Sequence, residues 1–239
     1  MLPLVRKLKS IFDVTDAEEK AILDLPVVFR ELKAGQDIVR ERDRPSQCCV
    51  ILEGFAVRYK LVDEGKRQIV SFHIAGDVPD LQSLHIEVMD HNLATLVPSR
   101  VAFIQHEDLR QLMARNQRIA DAFWREALID AAIFREWVVN IGRRSAIARL
   151  AHLLCELFTR SEALGLTSGA AFALPLTQQD LGDAMGLSTV HVNRMMMELR
   201  EAGLITTPRG AVIIEHWEKL AVIGQFDPAY LHIREKVSQ

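Results

Sequence analysis

Arg194 is the side chain best suited to read a chemical pattern, because it lies in a run whose Val192, Met195, Met196 and Leu199 recur at helical spacing. That spacing leaves Thr189, Val190, His191, Asn193, Arg194 and Met197 on other faces. A guanidinium can donate twice to the O6 and N7 of a guanine, and such a pairing discriminates against other bases by about 1–3 kcal/mol. A helix that enters the major groove offers its N-terminal residues to base edges, which adds Thr189, Val190 and His191 to the candidate readers. Thr177, Gln178, Gln179 and Ser188 fall at helix starts, where side chains and free N–H groups hold phosphates and orient a module without reading sequence.

The elements that must position these residues are signalled from Thr177 onward. Thr177, Gln178, Gln179 and Asp180 form a helix start in which the Thr hydroxyl caps an N–H and Asp180 sits at the reciprocal position of a capping box. Leu181, Ala184 and Met185 give that helix one apolar face, and Gly182 falls where two helices must approach closely. Gly186 supplies the left-handed conformation of a tight turn, Leu187 plugs the angle, and Ser188 caps the next helix. Beyond Gly203 two β-prone runs flank Pro208, Arg209 and Gly210, which predicts a hairpin wing with Arg209 at its tip. The whole predicts a winged helix-turn-helix over 177–214 with double-stranded DNA as partner. The competing reading is two amphipathic helices joined at a glycine, with Arg194 an ordinary solvated charge.

With 239 residues, of which 49% are hydrophobic, the chain can bury a normal core in one large domain or two ordinary ones. The net charge of −3 looks unfavourable for a nucleic-acid partner, but the charges are unevenly placed. Asp13, Asp16, Glu18, Glu19, Asp24, Asp77, Asp80 and Asp90 crowd the front, and Arg143, Arg144, Arg149, Arg194, Arg200 and Arg209 punctuate the back. The opening residues lack the apolar run and cleavage site of a secretory signal, and no stretch is long enough to span a membrane, so a cytoplasmic protein is expected. Cys48, Cys49 and Cys155 have neither disulfide nor zinc spacing and are expected as reduced, buried filler; whether they sense redox state is left open.

Short helices are expected at 3–10 and 16–24, followed by β-prone runs at 27–31, 37–40, 48–52, 56–61, 68–73, 94–96 and 100–106. Turn signals separate the runs, which predicts an antiparallel barrel or jelly roll. From Glu107 the period becomes helical, and Ala120, Phe123, Ala127, Ala131, Phe134, Val138 and Ile141 form a stripe that resembles a coiled-coil seam with one stutter. It is the candidate homodimer interface; packing on its own barrel is the alternative. A new helix, capped by Ser145, follows the joint at 140–145, then a loop at 165–170, a short strand at 171–174, the recognition unit, and a last helix from near His216. The fold class is α+β, with a sensor-like barrel over 1–115, a dimerisation helix and hinge over 116–144, and a DNA-binding domain over 145–239.

This order, with the motifs at 176–182, 185–188 and 192–194 and with Leu199 and Gly203 to Ile205, resembles the cyclic-AMP-receptor and fumarate-nitrate-regulator (Crp/Fnr) superfamily of bacterial transcription factors. The resemblance implies an eight-strand-type cyclic-nucleotide-binding-like jelly roll, a guanine-reading role for Arg194, backbone contacts near Thr177 and Gln179, and RNA polymerase as a further partner. It departs at Val190, where the family carries a short acidic residue, so no operator sequence follows from it. In members that bind cyclic AMP, a Gly-Glu-Leu turn holds the ribose and an Arg-Ser pair the phosphate. Here Gly76 to Gln82 and Asp90 to Ala94 stand in their place, with no arginine and with Asp80 and Asp90 to repel a phosphate, so no cyclic-nucleotide binding is expected. With no cysteine before Cys48 an iron–sulfur cluster is not expected either, and His73, His85, His91 and His106 are read as ordinary histidines rather than haem ligands. No cofactor is expected.

Two other function classes stand beside this one. In a metal-dependent jelly-roll enzyme, His85, Glu87 and His91 would be the ligands, although the usual pair of histidines one residue apart is missing; no metal and no catalytic residue are expected. In a non-DNA interaction module, the C-terminal unit would bind protein. Metal analysis of the purified protein separates the enzyme, and steep salt dependence separates a DNA reader from the interaction module.

Overall fold

The computed structural model describes residues 1–234 and divides the chain into two compact units. The first comprises Met1–Lys60, Ser71–Ala131 and the segment from His232; the second comprises Leu61–Val70 and Ala132–Leu231. No helix among the described residues is long and apolar enough to cross a membrane.

The first unit opens with α1 (Leu2–Ile11) and α2 (Asp16–Leu23), the latter held by a full capping box between Thr15 and Glu18. The strands follow as β1 (Val28–Leu32), β2 (Asp37–Val39), β3 (Gln47–Glu53), β4 (Ala56–Leu61), β5 (Arg67–His73), β6 (Asn92–Thr95) and β7 (Ser99–Gln105). They form two antiparallel sheets, β1-β7-β3 and β2-β6-β4-β5, so the roll has seven strands among the described residues where the family resemblance implied an eight-strand type. β3 is an apolar run because both its faces are covered. Cys48, Val50 and Leu52 pack with Leu4, Leu8, Ile22 and Phe123, while Cys49 and Ile51 point into the roll with Leu93, Val101 and Phe103. All three cysteines are buried. Burial pushes the Cys48 and Cys49 thiols up and the Cys155 thiol up to about 12, so each rests protonated.

The acidic residues of this unit do not all face water. Lys7 of α1 lies 3.1 Å from Asp77 and 3.4 Å from Glu126, all three buried. Gly76 has φ +99°, and a Cβ there would stand 2.7 Å from the Pro3 carbonyl, so α1 is docked against a turn that only glycine fits. Asp80 is 1% exposed and Glu18 4% exposed, which removes several of the acids that looked like surface charge in the sequence. The histidines weighed as ligands are already engaged: His73 with Ser71, His91 with Asp90 and Gln82, His106 with Ser83. His85 is exposed.

α3 (His106–Arg115) and α4 (Gln117–Arg143) follow, broken at Asn116; residues 117–131 of α4 cluster with the first unit and 132–143 with the second. In the second unit, α5 (Ala146–Ala163) is capped by Ser145 as expected. β8 (Thr167–Ser168) lies in the stretch expected as a loop and pairs with β9 (Ala171–Ala173), the short strand expected at 171–174. α6 (Gln178–Met185), α7 (Thr189–Glu201), β10 (Ile205–Thr206), β11 (Ala211–Ile214) and α8 (Trp217–Gly224) complete it. The hairpin at 205–214 is therefore one half of a four-stranded sheet, order β10-β11-β9-β8, rather than a free wing.

A polar group holds this unit together. Glu156 on α5 is fully buried and accepts from Trp137 Nε1 at 3.1 and 3.2 Å, from Arg160 at 3.2 Å and from the Tyr230 hydroxyl at 2.9 Å. Beside it His152, 1% exposed, lies 3.1 Å from the Gly224 carbonyl and 3.0 Å from the Tyr230 hydroxyl. Burial first, and the positive Arg144 second, hold His152 down to about pKa 4, against an ordinary 6.5. The unfolded chain thus binds a proton that the folded chain refuses, so the stability of the neutral ring is present above pH 6.5 and is lost as pH falls from 6.5 towards 4. That group alone contributes up to about 3 kcal/mol. Urea denaturation at pH 8, 6 and 5 is expected to show stability falling with pH, and His152→Gln is expected to flatten that slope by up to one proton.

Candidate nucleic-acid interface

α6 begins as its sequence dictates. The Thr177 hydroxyl accepts the Asp180 N–H at 3.1 Å and donates to Asp180 Oδ2 at 2.6 Å, while that carboxylate accepts the Thr177 N–H at 3.0 Å. Asp180 has a second partner that the sequence did not signal. Arg67, in the 61–70 segment that clusters with this unit, reaches Asp180 at 2.6 Å and Asp183 at 2.7 Å.

The turn between α6 and α7 is set by two glycines with different duties. Gly186 is left-handed, φ 65° and ψ 38°, and its N–H closes α6 on the Gly182 carbonyl. Gly182 is helical, but a Cβ there would stand 2.6 Å from the Leu187 carbonyl oxygen, so the helices meet through a missing side chain. Arg149 of α5 donates to the Met185 carbonyl at 2.9 Å and to the Arg144 carbonyl at 3.0 Å, tying the end of α6 to the scaffold helix.

Ser188 caps α7 by accepting the His191 N–H at 3.3 Å. Val192, Met195, Met196 and Leu199 are buried, so the opposite side of α7 is free. Thr189, Val190, His191 and Arg194 are exposed together on it, Val190 at 77%. Gln178 and Gln179 are exposed at the start of α6, where Gln178 donates to Asn193 at 3.2 Å and Gln179 to Asp183. Arg209 is exposed in the turn between β10 and β11, closed by Ala211 N–H on the Pro208 carbonyl at 3.0 Å. Arg200 was read from the sequence only as part of the charge balance; it donates to Thr207 at 3.1 Å and links the end of α7 to the same turn. The arrangement suits an anionic double helix: a helix end with base-directed side chains, flanked by amide donors and an arginine-tipped hairpin.

The expected seam of α4 divides. Phe123 is 1% exposed in the core of the first unit and is not available to a partner, and Ala120, Ala127 and Ile141 are half-buried. Ala131, Phe134 and Val138 are exposed, together with Trp124 at 63% and Leu128 at 50%, which the sequence reading omitted. The cause is geometric: the steps of four from Phe123 to Ala127 to Ala131 carry the expected stripe around the helix, from its inward face to its outward one. The outward stripe is Trp124, Leu128, Ala131, Phe134 and Val138.

The turn after β5 also departs from expectation. An arginine does reach it: Arg58 of β4 donates to the Pro79 carbonyl and, at 2.8 Å, to Asp130. Among the described residues no three His, Cys, Asp or Glu side chains converge on a metal position.

Residues 148–223 match the Crp-like helix-turn-helix domain, and residues 29–116 match the cyclic nucleotide-binding domain. A probable transcriptional activator of Rhizobium leguminosarum bv. viciae is 28% identical over 176 residues, 74% of this chain and 72% of that protein. The nitrogen fixation regulation protein FixK of Rhizobium meliloti is 27% identical over 185 residues, 75% of this chain and 79% of its own length. The solved structure of FixK2 from Bradyrhizobium japonicum has the same fold, with a TM-score of 0.76 at 22% identity, covering 83% of this chain and 98% of that one.

Arg194→Ala is expected to relax base preference at one position of each half-site by about 1–3 kcal/mol, leaving the other positions unchanged. Arg209→Ala is expected to weaken all sequences alike and to lower the salt slope by about one. Fluorescence anisotropy on single-base variants of a selected duplex measures both.

Proposed function

We propose that the chain is a DNA-binding transcription regulator of the Crp/Fnr family, acting as a homodimer in which α4 pairs with its copy and presents two α7 helices to a palindromic site. The observation that carries the proposal is the outward stripe of Trp124, Leu128, Ala131, Phe134 and Val138 on the helix that leads into the DNA-binding unit. An exposed apolar row of that length on a soluble chain is covered by a partner, and a helix that meets its own copy across a two-fold axis needs only one such row. Half-sites are then expected about one helical turn apart. Thr189, Val190, His191 and Arg194 face the bases, while Thr177, Gln178, Gln179, Ser188 and Arg209 lie along the backbone. The protein works in the cytoplasm without catalysis of its own, and RNA polymerase at a neighbouring promoter is its further partner.

In the barrel unit we propose a sensor that does not take a cyclic nucleotide. Arg58, which donates to the Pro79 carbonyl, is committed to Asp130, and Asp80 adds a buried carboxylate where a phosphate would need a donor.

Sedimentation velocity is expected to give a dimer of the 27.0 kDa chain, and Phe134→Glu with Val138→Glu is expected to give a folded monomer. The monomer should lose at least tenfold in affinity for a two-half-site duplex and little for a single half-site. A wild-type chain that stays monomeric at micromolar concentration with DNA present contradicts the dimer.

A further inference from the structure

The barrel unit holds a cavity of about 330 Å³, at the small end of the range for ligand pockets. Ile38, Val39 and Phe103 give it apolar walls, residues 43–47 form its rim, and Asp80 lines it from within. Asp80 is 1% exposed. Its Oδ1 accepts the Cys49 N–H at 2.7 Å, but Oδ2 is buried with no hydrogen-bond partner. A native fold rarely leaves a carboxylate oxygen buried and unpaired unless something else completes it.

The charges around the cavity indicate what that is. Its rim carries Asp43 and Arg44, and Arg44 is drawn away to Glu87, 3.1 Å distant and exposed. Arg58, the cation that acts on Asp80, is held by Asp130 and the Pro79 carbonyl. Burial, against the pull of the Cys49 N–H and Arg58, lifts the Asp80 carboxyl to about pKa 7, the state expected of an acid that lacks its counter-ion. We propose that this cavity binds a small organic cation, an ammonium ion bearing an alkyl or aryl group, which donates to Asp80 Oδ2 and lays its apolar part against Ile38, Val39 and Phe103. The inference rests on the reading of this unit as a sensor for something other than a cyclic nucleotide.

The test is isothermal titration of the full-length chain with n-butylammonium and 2-phenylethylammonium, and in parallel with 2-phenylethanol, phenylacetate and cyclic AMP. At least one amine is expected to bind saturably, at least tenfold more tightly than the alcohol and the acid. Asp80→Asn keeps an oxygen for the Cys49 N–H and removes the charge, and it is expected to weaken the amine at least tenfold while leaving the alcohol unchanged. Ser46→Trp, on the exposed rim, is expected to abolish amine binding with Asp80 intact and the circular dichroism spectrum unaltered. Amine binding unchanged in Asp80→Asn, an alcohol that binds as tightly as its amine, or no amine binding at all would overturn the inference. Tight cyclic AMP binding would overturn the sensor reading beneath it, whereas silence from every probe overturns the cation alone.

Discussion

The buried carboxylate of Glu156 is the constraint on which the DNA-binding unit depends. A carboxyl group with no exposure is tolerated only when its oxygens are filled, and here Trp137, Arg160 and Tyr230 fill them, against a burial that pushes the Glu156 carboxyl up. Trp137 belongs to α4, Arg160 to α5 and Tyr230 to the segment after α8, so one acid fastens three parts of the chain. From α5 the connection continues through Arg149, whose guanidinium holds the Met185 carbonyl at the end of α6. The turn at Gly186 and the start of α7 follow directly. Whatever orients the last turns of α4 therefore acts on α7 through a short series of polar contacts, none of which tolerates being left half-made.

The barrel unit uses charge in a related way. Lys7, Asp77 and Glu126 join α1, the turn after β5 and α4, and Arg58 joins β4 to Asp130 on α4. These pairs fix elements in place at the expense of surface charge, which is why a front half rich in acids is less acidic outside than its sequence suggests. Asp80 stands apart from these pairs, since its Oδ1 accepts the Cys49 N–H while its Oδ2 is buried with no hydrogen-bond partner.

Much of this was legible from residue types alone. The capping box at Thr177, the Gly186 turn, the Ser188 cap and the buried face of α7 are local, so sequence spacing determined them, as it did the positions of β1 to β7. What failed was non-local. A helix apolar on two sides does not announce which side its own core will take, and Phe123, one position of the expected seam, lies instead in the core of the barrel unit. Arg58 lies far in sequence from the turn it reaches, Arg67 far from Asp180, and the pairing of β8 with β9 needs only two residues a strand. Gly182 was legible as a close-packing position; that it faces the Leu187 carbonyl was not.

Selection of bound duplexes from a random pool, followed by sequencing, tests the central claim most directly. Two inverted half-sites with centres about one helical turn apart, each holding a guanine whose enrichment vanishes in Arg194→Ala, are the predicted result. A pool with no enriched sequence, or a single unpaired motif indifferent to Arg194, would contradict it.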